Sequence, residues 1–137
     1  MIYISTAIFT PRENDPGYYA EVPDLPECIT TGKDIADAIF QITDTISAWL
    51  VAAEDKGVEI IPPTPQNKLH INSNTICSLI TADTMEYRAR TDNHSVRKNV
   101  SLPCWMVNLA DKRRINCSKV LQDALRRLFD NQTTMSL

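Results

Sequence analysis

Residues 34–57 read DIADAIFQITDTISAWLVAAEDKG, and the spacing of their apolar side chains decides the fold class. Ile35, Ile39, Ile42, Ile46, Trp49 and Ala53 recur at intervals of 4, 3, 4, 3 and 4, a period near 3.6 that gathers them on one side of an α-helix. Asp34 stands where an N-cap is needed, because its carboxylate accepts amide hydrogens that the first turn leaves unpaired. Asp37 adds negative charge near the positive end of the helix dipole. Gly57, just after Lys56, suits the left-handed residue that ends a helix. A helix with one apolar side must bury it against another layer, and Phe40 and Trp49 are assigned to that core.

The stretches upstream supply the second layer. Residues 2–10, IYISTAIFT, are rich in β-branched and aromatic side chains and stop at Pro11, so they read as a strand followed by a turn at Asn14–Gly17. Residues 17–22, GYYAEV, read as its hairpin partner. Pro23 and Pro26 bracket a non-regular stretch at Asp24 and Leu25, and a third short strand is expected around Cys28–Thr31. Downstream of the helix, residues 61–68, IPPTPQNK, hold three prolines that remove backbone donors and make a stiff connector. Residues 75–81, TICSLIT, return as a fourth strand. The order β-β-β-α-β gives an α+β domain of two layers. The polar stretch Arg88–Ser95 reads as a linker, which places a first domain at 1–84, a linker at 85–96 and a second domain at 97–137.

Charge divides the chain at the same place. Residues 97–130 hold eight Lys or Arg against three acids, a net of +5, whereas residues 1–96 hold six against fourteen, a net of −8. The total of −3 therefore conceals a basic tail suited to a polyanion and an acidic body suited to a cationic partner. Four cysteines (Cys28, Cys77, Cys104 and Cys117) lack any C-x-x-C pairing, which fits reduced thiols in a cytosol. No apolar run is read as crossing a bilayer and no targeting segment is read at Met1, so the expected location is cytoplasmic.

The tail begins with RKNVSLP at 97–103, alternating in period two, with Arg97, Asn99 and Ser101 on one face and Lys98, Val100 and Leu102 on the other. Pro103 opens a short helix carrying Met106, Leu109 and Ala110 on its buried side. After a break at Arg113–Ile115, Asn116 caps a second helix bearing Val120, Leu121, Ala124, Leu125 and Leu128. A strand and two helices in under forty residues cannot bury a sufficient core, and the strand has two unpaired edges, so the unit is expected to pair with a second copy. V-x-L-P followed by a short helix and N-x-S-x-x-L-x-x-A-L resembles the ribbon-helix-helix family. That resemblance implies an antiparallel ribbon in the major groove, with Arg97, Asn99 and Ser101 reading base edges. Asn116, Ser118 and Lys119 would lie at a phosphate. Many such modules place Gly between the helices; here Arg113 and Arg114 stand there, and one must take the left-handed conformation. Trp105 is expected to brace the dimer.

The body, with its aromatic second strand (Tyr18, Tyr19), the turn D-L-P-E-C-I-T-T-G at 24–32 and a capped helix, is similar to the HicB antitoxin domain; Glu27 replaces the Gly usual in that turn. The resemblance implies a partial RNase H-like fold, a HicA-type mRNA-cleaving toxin as partner and autorepression of a shared operon by a homodimer or a dimer of dimers. Tyr18, Tyr19, Glu21, Asp24 and Glu27 are the candidate toxin contacts, combining aromatic anchors with acids that suit a basic surface. RNase H-type catalysis needs carboxylates converging on metal ions, yet residues 2–10 contain no acid. Neither a catalytic residue, a metal ligand nor a cofactor is therefore assigned. His70 and His94 read as isolated surface residues. The alternative is a ligand-responsive ribbon-helix-helix repressor whose acidic body encloses a small molecule in a pocket.

Overall fold

The computed structural model describes residues 1–130. The chain divides into two units, one containing Met1–Asp92 and one beginning at Asn93, and each is described by itself.

In the first unit, β1 (Ile2–Pro11), β2 (Tyr18–Val22), β3 (Leu25–Gly32) and β4 (Ile76–Asp83) form one antiparallel sheet in the order β3-β2-β1-β4. The central strand β1 pairs with β4 from Ile2↔Asp83 to Phe9↔Ile76. Helix α1 (Ile35–Lys56) covers one face. Strand alternation turns Tyr3, Ala7 and Phe9 toward the helix, where they join Ala38, Ile42, Ile46 and Leu50 in one buried cluster. Each fully buried Ile or Leu of that stripe contributes about 1.5–3 kcal/mol. β3 begins earlier than expected, and Pro26 lies within it; an edge strand tolerates a residue with no amide hydrogen.

Both ends of α1 follow local chemistry. The Asp34 carboxylate accepts from the Asp37 amide at 2.8 Å. At the other end Gly57 sits at φ 67°, and the amides of Gly57 and Val58 close back on the carbonyls of Glu54 and Ala53, which is the Schellman arrangement. Gly32 is required for closeness instead: a Cβ there would collide with the backbone of Ala38 in the first turn of α1.

The apolar stripe differs from the periodic reading in its flanks. Ala38 and Leu50 are buried, while Ile39 is 38 % and Phe40 62 % exposed, so Phe40 is no core residue. The buried strip takes in Ala38 and Leu50 on either side of Ile42, Ile46 and Ala53, and Phe40 lies outside it on the helix surface. α1 is also long and apolar enough, by length and composition alone, to cross a bilayer, contrary to expectation; in this fold its apolar side is spent on the sheet.

A further helix, α2 (Thr84–Thr91), occupies residues assigned in part to a linker. Its composition is polar because ion pairs and a cap hold it rather than a greasy stripe. Asp83 caps it through the amides of Met85 and Glu86. Arg88 reaches Asp55 at 2.8 Å and Glu54 at 3.2 Å, and Arg90 reaches Asp44 at 2.7 Å. Glu54 also accepts from the Tyr3 and Thr84 hydroxyls.

The second unit contains α3 (Cys104–Lys112) and α4 (Cys117–Asp130). Asn116 caps α4 by accepting from the Lys119 amide at 3.2 Å. Between the helices Arg114 takes φ 53°, and the amides of Arg114 and Ile115 bond the carbonyls of Asp111 and Ala110. This is a second Schellman turn, with arginine where α1 uses glycine. Residues 93–103 lie outside helices and strands, and residues 131–137 of the expected second domain lie outside the described ones.

A left-handed L-residue costs about 1–2 kcal/mol, part of which glycine returns as unfolded-state entropy. Arg114→Gly should therefore raise the stability of the second unit by about 0.5–1 kcal/mol. Thermal unfolding followed by circular dichroism checks this; a lowered midpoint would mean that the Arg114 side chain, not its backbone, matters.

Candidate functional site

A cleft opens in the first unit where the chain leaves α1. Val58–Thr64 passes the β2–β3 turn and the start of β1, enclosing about 370 Å³ between this segment, Tyr3–Ser5, Asp24–Glu27 and the Trp49–Leu50 face of α1. Two contacts hold its walls. The Asp24 carboxylate accepts from both the amide (2.8 Å) and the hydroxyl (2.6 Å) of Thr64, pinning the proline segment to the turn. Across the cleft the Trp49 indole N–H donates to Glu27 at 3.0 Å, so a half-buried aromatic has its polar tip satisfied. Farther along, Gln66 donates to Cys77 Sγ at 3.6 Å. That contact brings the chain over the sheet face opposite α1, where Thr6 and Ile8 are buried despite pointing away from the helix.

The charged residues lining the cleft are Asp24, Glu27 and Glu59, all acidic, and the rest of the lining is mainly apolar. Cys28, next to Glu27 but turned into the core at 1 % exposure, has its thiol pushed up to about 11, first by burial and then by the charge of Glu27. Tyr3 is pushed up to about 12 by burial and by its hydrogen bond to Glu54. Both groups keep their protons at neutral pH and act here as structural donors or apolar walls.

The five candidate toxin contacts do not form one patch. Asp24 and Glu27 meet in the cleft. Tyr18 faces the helix layer and packs against the core. Tyr19 and Glu21 lie on the opposite face of the sheet, Tyr19 being 50 % exposed with the Arg12 guanidinium 5.5 Å from its ring centre. Trp49, assigned only to the core, and the Val58–Thr64 wall were missed as site residues. A connector with three prolines after a helix is a signal for stiffness, and no local pattern says where a stiff segment comes to rest.

In the second unit Arg97, Asn99 and Ser101 are exposed, as are Asn116, Ser118 and Lys119 at the start of α4. Every described residue of this unit is exposed except the half-buried Ala110. Among its exposed apolar side chains are Val100, Leu102, Met106, Leu109, Leu121 and Leu125, and Trp105 is 61 % exposed. Among the described residues of the chain, no three His, Cys, Asp or Glu side chains come together as a metal site.

Comparison with known proteins places these features. The family described as HicB_like antitoxin of bacterial toxin-antitoxin system matches residues 6–124. A chain of a toxin–antitoxin complex from Streptococcus pneumoniae is similar over 93 % of this chain and 99 % of its own, with a TM-score of 0.61 at 19 % identity. The antitoxin HicB of Burkholderia pseudomallei is similar over 93 % of this chain and 98 % of its own, with a TM-score of 0.52 at 20 % identity. At these identities the likeness is one of fold. No curated sequence matches significantly.

Burial makes Cys28 slow to react, since the thiolate is the nucleophile. With a thiol-labelling reagent at neutral pH, the exposed Cys104 and Cys117 should label within minutes, while Cys28 stays unmodified until the protein is unfolded. Mass spectrometry of tryptic peptides reads the difference.

Proposed function

The chain belongs to the HicB-like antitoxins of bacterial toxin–antitoxin systems, and we propose that it neutralises a HicA-type mRNA-cleaving toxin through its acidic unit and represses its own operon through its C-terminal unit. The single observation that carries the second half is the near-total exposure of residues 93–130, apolar side chains included. A unit with no buried core is completed by a second copy. Pairing of residues 97–102 with their twin makes a ribbon-helix-helix dimer: the two α3–α4 pairs cover each other's apolar sides, and the ribbon enters the major groove. Arg97 and Asn99 then meet base edges by two-pronged hydrogen bonds, Ser101 sits between them, and the Asn116-capped start of α4 with Ser118 and Lys119 holds a backbone phosphate.

The first half rests on charge and on fold. Residues 1–96 carry a net charge of −8, and this acidity both attracts a basic RNA-binding toxin and keeps the unit from competing for RNA itself. In this reading the body is a partial RNase H-like fold without the acids of catalysis, a non-enzymatic binding version in a cytoplasmic protein. The volume of the cleft favours a second reading, in which a small ligand there controls repression. The two differ in what the cleft must do when no toxin is present.

Co-expression with the neighbouring small open reading frame tests the toxin claim. A stable complex on size-exclusion chromatography together with rescued growth is expected, and neither appearing would end it. On operator DNA, Arg97→Ala and Asn99→Ala should each cost about 1–3 kcal/mol and relax base preference. Lys119→Ala should weaken all sequences alike and lower the salt slope by about one. Unchanged affinity in the Arg97 variant would refute the assigned strand face.

A further inference from the structure

We propose that the cleft between the Val58–Thr64 segment and Trp49 seats a large apolar side chain presented by a basic segment of the protein partner. The proposal rests on the antitoxin reading and names the surface through which it acts.

The cavity of about 370 Å³ is large enough to enclose a leucine, methionine or aromatic side chain and small for a globular contact. Its interior is built from Tyr3, Leu25, Trp49, Leu50, Ile60 and Pro62, among others, an apolar centre including an aromatic of the kind that dominates interface energetics. Among the described residues, the charged groups lining it are the acids Asp24, Glu27 and Glu59. An apolar hole among carboxylates repels nucleic acid and matches a polypeptide whose anchor residue is flanked by Lys or Arg.

The cleft is also set in advance. Its floor is β1 and α1, both part of the buried cluster. The Thr64–Asp24 pair of hydrogen bonds ties its proline-rich wall to the β2–β3 turn, and Glu27 holds the Trp49 ring by its N–H. Little ordering is left for the moment of binding, and that saving goes into affinity. Asp24 and Glu27 thus act as positioning residues as well as charges, while Glu59 has its carboxylate on the exposed segment.

The test uses the full chain labelled with 5-fluorotryptophan. The chain has two tryptophans, so two fluorine resonances are expected, assigned by a Trp49→Phe variant. Titration with the purified product of the neighbouring open reading frame should shift the Trp49 resonance with the same midpoint as complex formation. Val58→Phe, which fills the cleft, and Glu59→Lys, which reverses its charge, alter exposed side chains. Each should weaken the complex by about tenfold or more at an unchanged melting temperature. If both variants bind as the unaltered chain does and the Trp49 resonance stays still, the cleft is not the seat, although the antitoxin reading survives. If the unaltered chain itself forms no complex, that reading falls and this proposal falls with it. A Trp49 shift produced by a small apolar compound that leaves toxin binding intact would overturn the assignment to a protein partner.

Discussion

Everything in the first unit depends on the packing of α1 against the four-stranded sheet. Twenty-two helical residues span about 33 Å, and ten strand residues span about the same length. Helix and central strand therefore match end to end. At one end Gly32 lets the first turn of α1 approach the sheet with no Cβ between them. At the other, Tyr3 donates to Glu54, and the chain leaves the helix beside the start of β1. That exit point places the proline segment against Asp24 and so creates the cleft.

The polar side of the same helix does a different task. Glu54 accepts from Tyr3, from Thr84 and from Arg88, joining the central strand to the start and the middle of α2 at one carboxylate. Exposed ion pairs contribute little singly, but here they act on a helix that has almost no apolar stripe, so they decide where it docks. A polar sequence read as a linker is thereby ordered by partners that lie about thirty residues away along the chain.

The two units solve the problem of a small core in opposite ways. The first buries a stripe of isoleucines and leucine beneath a sheet within one chain; the second leaves leucines, valines and a methionine exposed, a surface that the proposed pairing with a second copy would cover. Their helices nevertheless end in the same hydrogen-bonded turn, closed by Gly57 in one and Arg114 in the other. An arginine in that place keeps a positive charge on the basic unit at the expense of backbone ease.

What the amino-acid order determined by itself was local and periodic. The cap at Asp34, the stop at Gly57, the cap at Asn116 and the left-handed residue in the Arg113–Arg114 break all follow from chemistry within one or two turns of a helix. The α+β pattern and the division into acidic and basic parts follow from period and composition over tens of residues. Tertiary structure alone decided the exposure of Phe40, the helix at Thr84–Thr91 and the meeting of Asp24 with Thr64 and of Glu27 with Trp49. Each of these depends on which distant groups the twist of the sheet and the length of α1 bring into reach, and no spacing along a single chain encodes a distance through space.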